Sequence, residues 1–114
     1  MTAIERSQWP AFADRFTREH DGWSASVEIR QTDGGIEVAV DDRPFRGLTV
    51  GERNGRQSLI LAFGDDPDEH LAHIVEQPGE LSVLENEPGQ CSLVIGQADG
   101  TGCVLELTNP FTTD

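Results

Sequence analysis

SQWPAFADRFTREHDGWSASVEIR, residues 7–30, carries the two periodicities from which the fold can be read. From Ser7 to Asp21 the apolar residues Trp9, Phe12, Ala13 and Phe16 recur at i, i+3, i+4 and i+7, one face of a 3.6-residue helix. Ser7 is placed to cap it, Pro10 is tolerated in the first turn, and Gly22 is placed to end it. Asp14/Arg18 and Arg15/Glu19 add i, i+4 pairs on the opposite side. After Gly22 the period drops to two: Trp23, Ala25, Val27 and Ile29 alternate with Ser24, Ser26, Glu28 and Arg30, a half-buried strand. The helix therefore lays aromatic side chains on a sheet, and both tryptophans belong to apolar faces, where core packing explains them.

Downstream the strand pattern repeats. Ile36, Val38 and Val40 alternate until Asp41-Asp42-Arg43-Pro44 breaks the run. Asn54-Gly55 is the strongest hairpin signal, and a register centred there sets Leu48 opposite Leu61 and Val50 opposite Leu59. Leu59 to Phe63 is apolar on both faces, as an internal strand would be. His70 to Gln77 is expected to pair with Glu80 to Asn86, which sets His73 opposite Leu84. Cys91 to Thr108 forms the last hairpin around Asp99-Gly100. That register puts Cys91 opposite Thr108 and Cys103 opposite Gly96, on different faces and roughly 17 Å apart at about 3.4 Å per residue, so two reduced thiols are expected. Some eight short strands joined by tight turns, with one helix and no material for parallel crossovers, define an α+β class. The expected architecture is a single N-terminal helix packed on a strongly curved, mostly antiparallel sheet or small barrel. Residues 1–110 are read as one domain and 111–114 as a short tail.

The chain has 114 residues, enough for one core. Its charge is lopsided: eight basic residues, all Arg, face twenty-one acids, for a formal charge of -13, and Lys and Tyr are absent. All eight Arg lie before Ser58, and eleven acids follow it. Such a field repels polyanions, so neither nucleic acid nor an anionic membrane is an expected partner. Acidic side chains at this density also suit a salt-rich cytoplasm. MTAIERSQWP has no apolar run of the signal-peptide kind, and the longest apolar stretch is too short to span a bilayer, so a cytoplasmic location is expected.

Several stretches resemble a bacterial family of short acidic proteins known only as a domain of unknown function. They are Trp9-x-x-Phe12-x-x-Arg15-Phe16-x-x-x-His20-x-Gly22-Trp23, the Arg43-Pro44-x-x-Gly47 turn, HLAHIVEQP at residues 70–78, and the Ala98-Asp99-Gly100-Thr101 turn. The resemblance runs nearly end to end. It implies a mostly antiparallel sheet, no activity, and no role for the thiols.

Candidate chemistry is sparse. Asp65, Asp66, Asp68, Glu69, His70, His73 and Glu76 fall within twelve residues, and Asp68, His70 and His73 are the set that could ligate a divalent metal. On a strand, however, His70 and His73 point to opposite sides. Arg43 and Arg46, with Arg53 and Arg56, cluster around two turns and could hold a small anion or meet the acids of a second copy. His70, His73, Arg43 and Arg46 are thus the candidate ligand-binding residues. No nucleophile elbow, phosphate-binding glycine loop or zincin helix is present. A Cys–His nucleophile would need a basic neighbour to lower the thiol pKa, and no such neighbour is near in sequence. No cofactor is implied. The sequence points to a non-enzymatic protein-interaction or self-association module using a sheet face or edge, with a small-molecule or metal-binding protein centred on residues 65–76 as the alternative.

Overall fold

In the computed structural model, which describes residues 2–64 and 70–110, one helix packs on an eight-stranded antiparallel sheet. The chain runs β1 (Thr2–Ala3), a 3-10 turn (Arg6–Gln8), α1 (Trp9–His20), β2 (Ser24–Arg30), β3 (Ile36–Arg53), β4 (Arg56–Phe63), β5 (Leu71–Glu76), β6 (Pro78–Glu87), β7 (Gln90–Gln97) and β8 (Gly102–Thr108). The spatial order is β1-β6-β7-β8-β2-β3-β4-β5. The expected α+β class holds, and the sheet stays open. The count of eight arises differently from the sequence pattern: the short β1 was not anticipated, and two expected strands fuse into β3.

The helix follows its period. Trp9, Phe12, Ala13 and Phe16 are buried, joined one turn later by His20. Gly22 (φ 88°) takes the left-handed conformation that stops the helix. Ser7 does not cap it: Ser7 lies in the 3-10 turn, and Gln8 stands at the cap without a side-chain bond. Against α1 lies a core formed by Phe45, Leu48, Leu59, Leu61, Phe63, Val75, Leu93, Ile95, Leu105 and Leu107. Phe16 meets Phe45 edge-on at 5.7 Å. His20 donates from Nδ1 to the Phe16 carbonyl (2.8 Å) and packs between the Phe16 and Trp23 rings. Its polar demand is met inside the helix, a structural role.

β3 departs most from the sequence pattern. Asp41 to Pro44 is no break; the chain bends through it as one strand, and its first part pairs with β2 while its second pairs with β4. Each register shift leaves an extra residue on β3. Glu28 faces Val38 but Val27 faces Val40, so Ala39 is extra. Ala25 faces Arg43, so another falls at Asp41-Asp42; Asp42 adopts φ 50°, donates its N–H to Ser26 Oγ (3.2 Å) and accepts from the Ser24 hydroxyl. Phe45 faces Phe63 and Gly47 faces Ala62, so Arg46 is the third. Such bulges bend a strand and raise its twist, which lets one strand serve both flanks of a curved sheet.

Two other registers differ from expectation. β5 pairs with β4, not β6, and His73 therefore faces Leu61 rather than Leu84. The physical reason is Gln77, whose φ of 52° redirects the chain so that β6 joins the far side of the sheet, between β1 and β7. Arg6 bridges the two sides, donating to Gln57 Oε1 on β4 (2.5 Å) and to the Pro78 carbonyl on β6 (2.8 Å). In the final hairpin Cys91 faces Leu107 and Cys103 faces Ile95, one residue off the expected register. Both thiols therefore share the core face. They lie four residues apart along the ladder, roughly 14 Å, and both are free.

Candidate interaction surface

The Ala39 bulge decides what β3 shows to solvent. Without it, Ile36, Val38 and Val40 would share one face. With it, Val40 turns into the core (4% exposed), while Ile36 and Val38 stay outside at 63% and 59%, beside Arg30 and Glu28. These are the two most exposed large apolar side chains among the described residues. No described strand pairs with the other side of residues 36–42. Gln31 donates its N–H to the Gly35 carbonyl (2.8 Å), so antiparallel alternation directs Glu37 toward β2 and leaves the N–H and C=O of Ile36 and Val38 facing outward. The result is an open strand edge with its own apolar side chains. Its remaining side chains are Glu37, Ala39, Asp41 and Asp42, three of them acids.

A second free edge, β5, differs. Leu71 and Ile74, each 42% exposed, belong to different faces, since Leu71 faces Phe63 and Ile74 faces Ile60. No single apolar face forms there.

The sequence-derived candidates disperse. His70 is exposed ahead of β5, and His73 is half-buried within it, where burial pushes its imidazole pKa down. Asp68 and the rest of the acidic loop at 65–69 lie outside the described residues. Among the described residues no three His, Cys, Asp or Glu side chains gather as a metal cluster. Arg43 is exposed near the β3 bend. Arg46 is built into the fold: its Nε donates to the Gly64 carbonyl (2.6 Å) and Nη1 pairs with Asp21 (3.2 Å). A cavity of about 290 Å³ opens beside the β3–β4 turn and the end of β5, lined by Asn54, Arg56, Gln57, Ser58, Glu76 and Gln77. Its walls mix Arg with Glu and amides and favour no charge type. Burial pushes both thiols up to about 11, with Glu85 and then Glu19 adding repulsion at Cys91. Neither thiol is primed as a nucleophile.

Sequence reasoning missed the β3 edge because the bulge carries no residue signature. Alternation alone places Ile36, Val38 and Val40 on one face. The one available hint was their position next to Gly34-Gly35, at a hairpin tip far from the aromatic residues of the core.

The domain is thus an α+β unit with an open antiparallel sheet and, along β3, an exposed apolar edge. The chain belongs to the family described as a family of unknown function (DUF5335), which it matches over residues 1–114. It is also similar to the DNA-binding transcriptional dual regulator ModE of Escherichia coli (strain K12), with 29% identity over 115 residues. The same identity is found with the transcriptional regulator ModE of Shigella flexneri. Those matches take in 95% of this chain but 43% of each relative, so the chain spans less than half the length of the curated relatives. Among solved structures, the YojF protein of Bacillus subtilis superposes with a TM-score of 0.54 at 16% identity, over 97% of this chain and 96% of that one. That likeness concerns the fold alone. No helix among the described residues is long and apolar enough to cross a membrane.

Proposed function

We propose that this domain is a non-enzymatic protein-interaction module that takes an extended segment of another protein onto the free edge of β3. The observation that carries the reading is the outward backbone of Ile36 and Val38 combined with their exposed side chains. Strand addition uses those two features: main-chain hydrogen bonds supply affinity and alternate side chains supply selectivity. The thiols, held protonated by burial, support the non-enzymatic half of the reading. The DNA binding in ModE's name is not carried over to this chain, whose charge of -13 opposes phosphate.

The test is site-specific photocrosslinking in the native host, with the crosslinker at Val38 and, as control, at exposed Thr49 on the same strand. A discrete adduct is expected from position 38 only, competed by excess untagged protein and not by its Val38→Pro variant. Proline there deletes an outward N–H while sparing the β2 ladder. Equal adducts from both positions, or competition by Val38→Pro, would refute the reading.

A further inference from the structure

We infer that the segment bound by β3 is a cationic strand of a different protein, alternating β-branched residues with Lys or Arg, and not a second copy of this chain. The inference rests on the strand-addition reading above and specifies its partner. Along the edge, Glu37 lies between the two outward-facing apolar residues and Asp41 and Asp42 follow them, with no base from Ile36 to Asp42. Across the ladder Glu28 stands beside Val38 and Arg30 beside Ile36, paired to each other at 3.9 Å, so the net charge of this edge comes from Glu37, Asp41 and Asp42. A strand laid about 4.8 Å away brings its own side chains to Cβ separations of about 5 Å. Apolar residues would then meet Ile36 and Val38 on one face, and the intervening residues would meet Glu37 on the other. Opposite charge is favourable at such positions and like charge is unfavourable.

A second copy fits poorly for the same reason. Self-pairing about a two-fold at Ala39 sets Glu37 against Asp41 and Ile36 against Asp42. It also brings together two bodies that each carry -13. Acids on an unpaired edge are a known means of preventing edge-to-edge association. Here they exclude identical chains and admit a basic one. The field of the whole domain acts in the same sense, raising the encounter rate of a cation.

The probes are two synthetic peptides as long as the edge, one alternating Val with Lys and one alternating Val with Glu, titrated into the labelled full chain and followed by amide NMR shifts. The Lys peptide is expected to bind saturably with its largest shifts at residues 36–42, and to weaken by about tenfold between about 50 and about 500 mM salt. Glu37→Lys should weaken it further. Val38→Pro should abolish it, and Val38→Lys serves if the proline variant does not fold. Equal binding of the Glu peptide at residues 36–42 would overturn the cationic partner and leave the edge reading standing. A dimer in sedimentation that Val38→Lys dissociates would do the same. Shifts scattered over the acidic surface and unchanged in both Val38 variants would overturn both.

Discussion

Raising the pH from 9 to 11 should sharply destabilise this protein through its two cysteines. The chain has no Lys and no Tyr, its arginines stay charged, and its α-amino group has largely titrated by pH 9. The thiols are therefore the side chains left to titrate in that window. Cys91 and Cys103 are 4% and 1% exposed, and burial raises both from 9.0 to about 11. Because the folded pKa lies above the unfolded one, the native state holds protons that the unfolded chain releases. Stability is thus at its full value below pH 9 and falls as pH climbs toward 11. Two units at about 1.4 kcal/mol each give a loss of about 3 kcal/mol per thiol, or about 6 kcal/mol for both once the pH has passed 11. The steepest fall approaches 3 kcal/mol per pH unit, a large share of the roughly 5–15 kcal/mol that holds a domain together.

Urea unfolding followed by tryptophan fluorescence under reducing conditions, at intervals between pH 7.5 and 11, measures the loss. The Cys91→Ala/Cys103→Ala variant should start lower at neutral pH, because it leaves small cavities, and then stay nearly flat. A wild-type curve as flat as the variant's would show that the thiols do not titrate with raised pKa values. A variant curve that falls as steeply would place the alkaline transition elsewhere.

Two further outcomes are expected. Thr17 Oγ1 accepts from the Leu48 N–H (2.9 Å) and donates to the Leu48 carbonyl (3.1 Å), tying α1 to β3, so Thr17→Val should cost about 1–3 kcal/mol in chemical denaturation while Thr17→Ser stays close to wild type. Glu76, Glu80, Glu85, Glu87, Asp99 and Glu106 are all exposed, so screening them by raising salt to molar levels should lift the melting temperature by several degrees, about 4–8 °C per kcal/mol for a small domain; a flat or falling curve would mean that their repulsion costs the fold nothing.

The elements that sequence defined best were those with a rigid local rule. Asn54 (φ 55°) and Gly55 (φ 76°) form a two-residue turn, and the anticipated pairs Leu48–Leu61 and Val50–Leu59 followed directly. Asp99-Gly100 resembled the same kind of turn. Gly100 (φ 92°) instead closes a three-residue loop between Gln97 and Thr101, and one extra residue moved Cys91 and Cys103 onto a common face. Gln77 was illegible for another reason: a non-glycine residue at positive φ is uncommon, and nothing in Glu76-Gln77-Pro78 announces it. With it went the partner of β5 and the environment of His73. The acids and arginines near the candidate site were legible by type only. Arg46 became a clamp rather than a ligand because a bulge, set by tertiary packing, aimed it at Gly64 and Asp21.

The three bulges in β3 also separate what the domain satisfies internally from what it leaves open. Asp42 is held by Ser24 and Ser26, and Arg46 by Gly64 and Asp21, so each of those irregularities is offset by bonds within the chain. At Ala39 the outcome differs: Val40 enters the core and two aliphatic side chains remain outside. Burying a Val or Ile side chain fully is worth about 1.5–3 kcal/mol, so covering the exposed part of Ile36 and Val38 would return about 1–2 kcal/mol each. Among the described residues nothing covers them, and the neighbouring backbone groups face the same way. A partner strand would meet both needs at once, adding ladder hydrogen bonds to a few kcal/mol of apolar burial. That sum fits a binding site better than a packing fault, because a fault would expose side chains without also aligning donors and acceptors beside them.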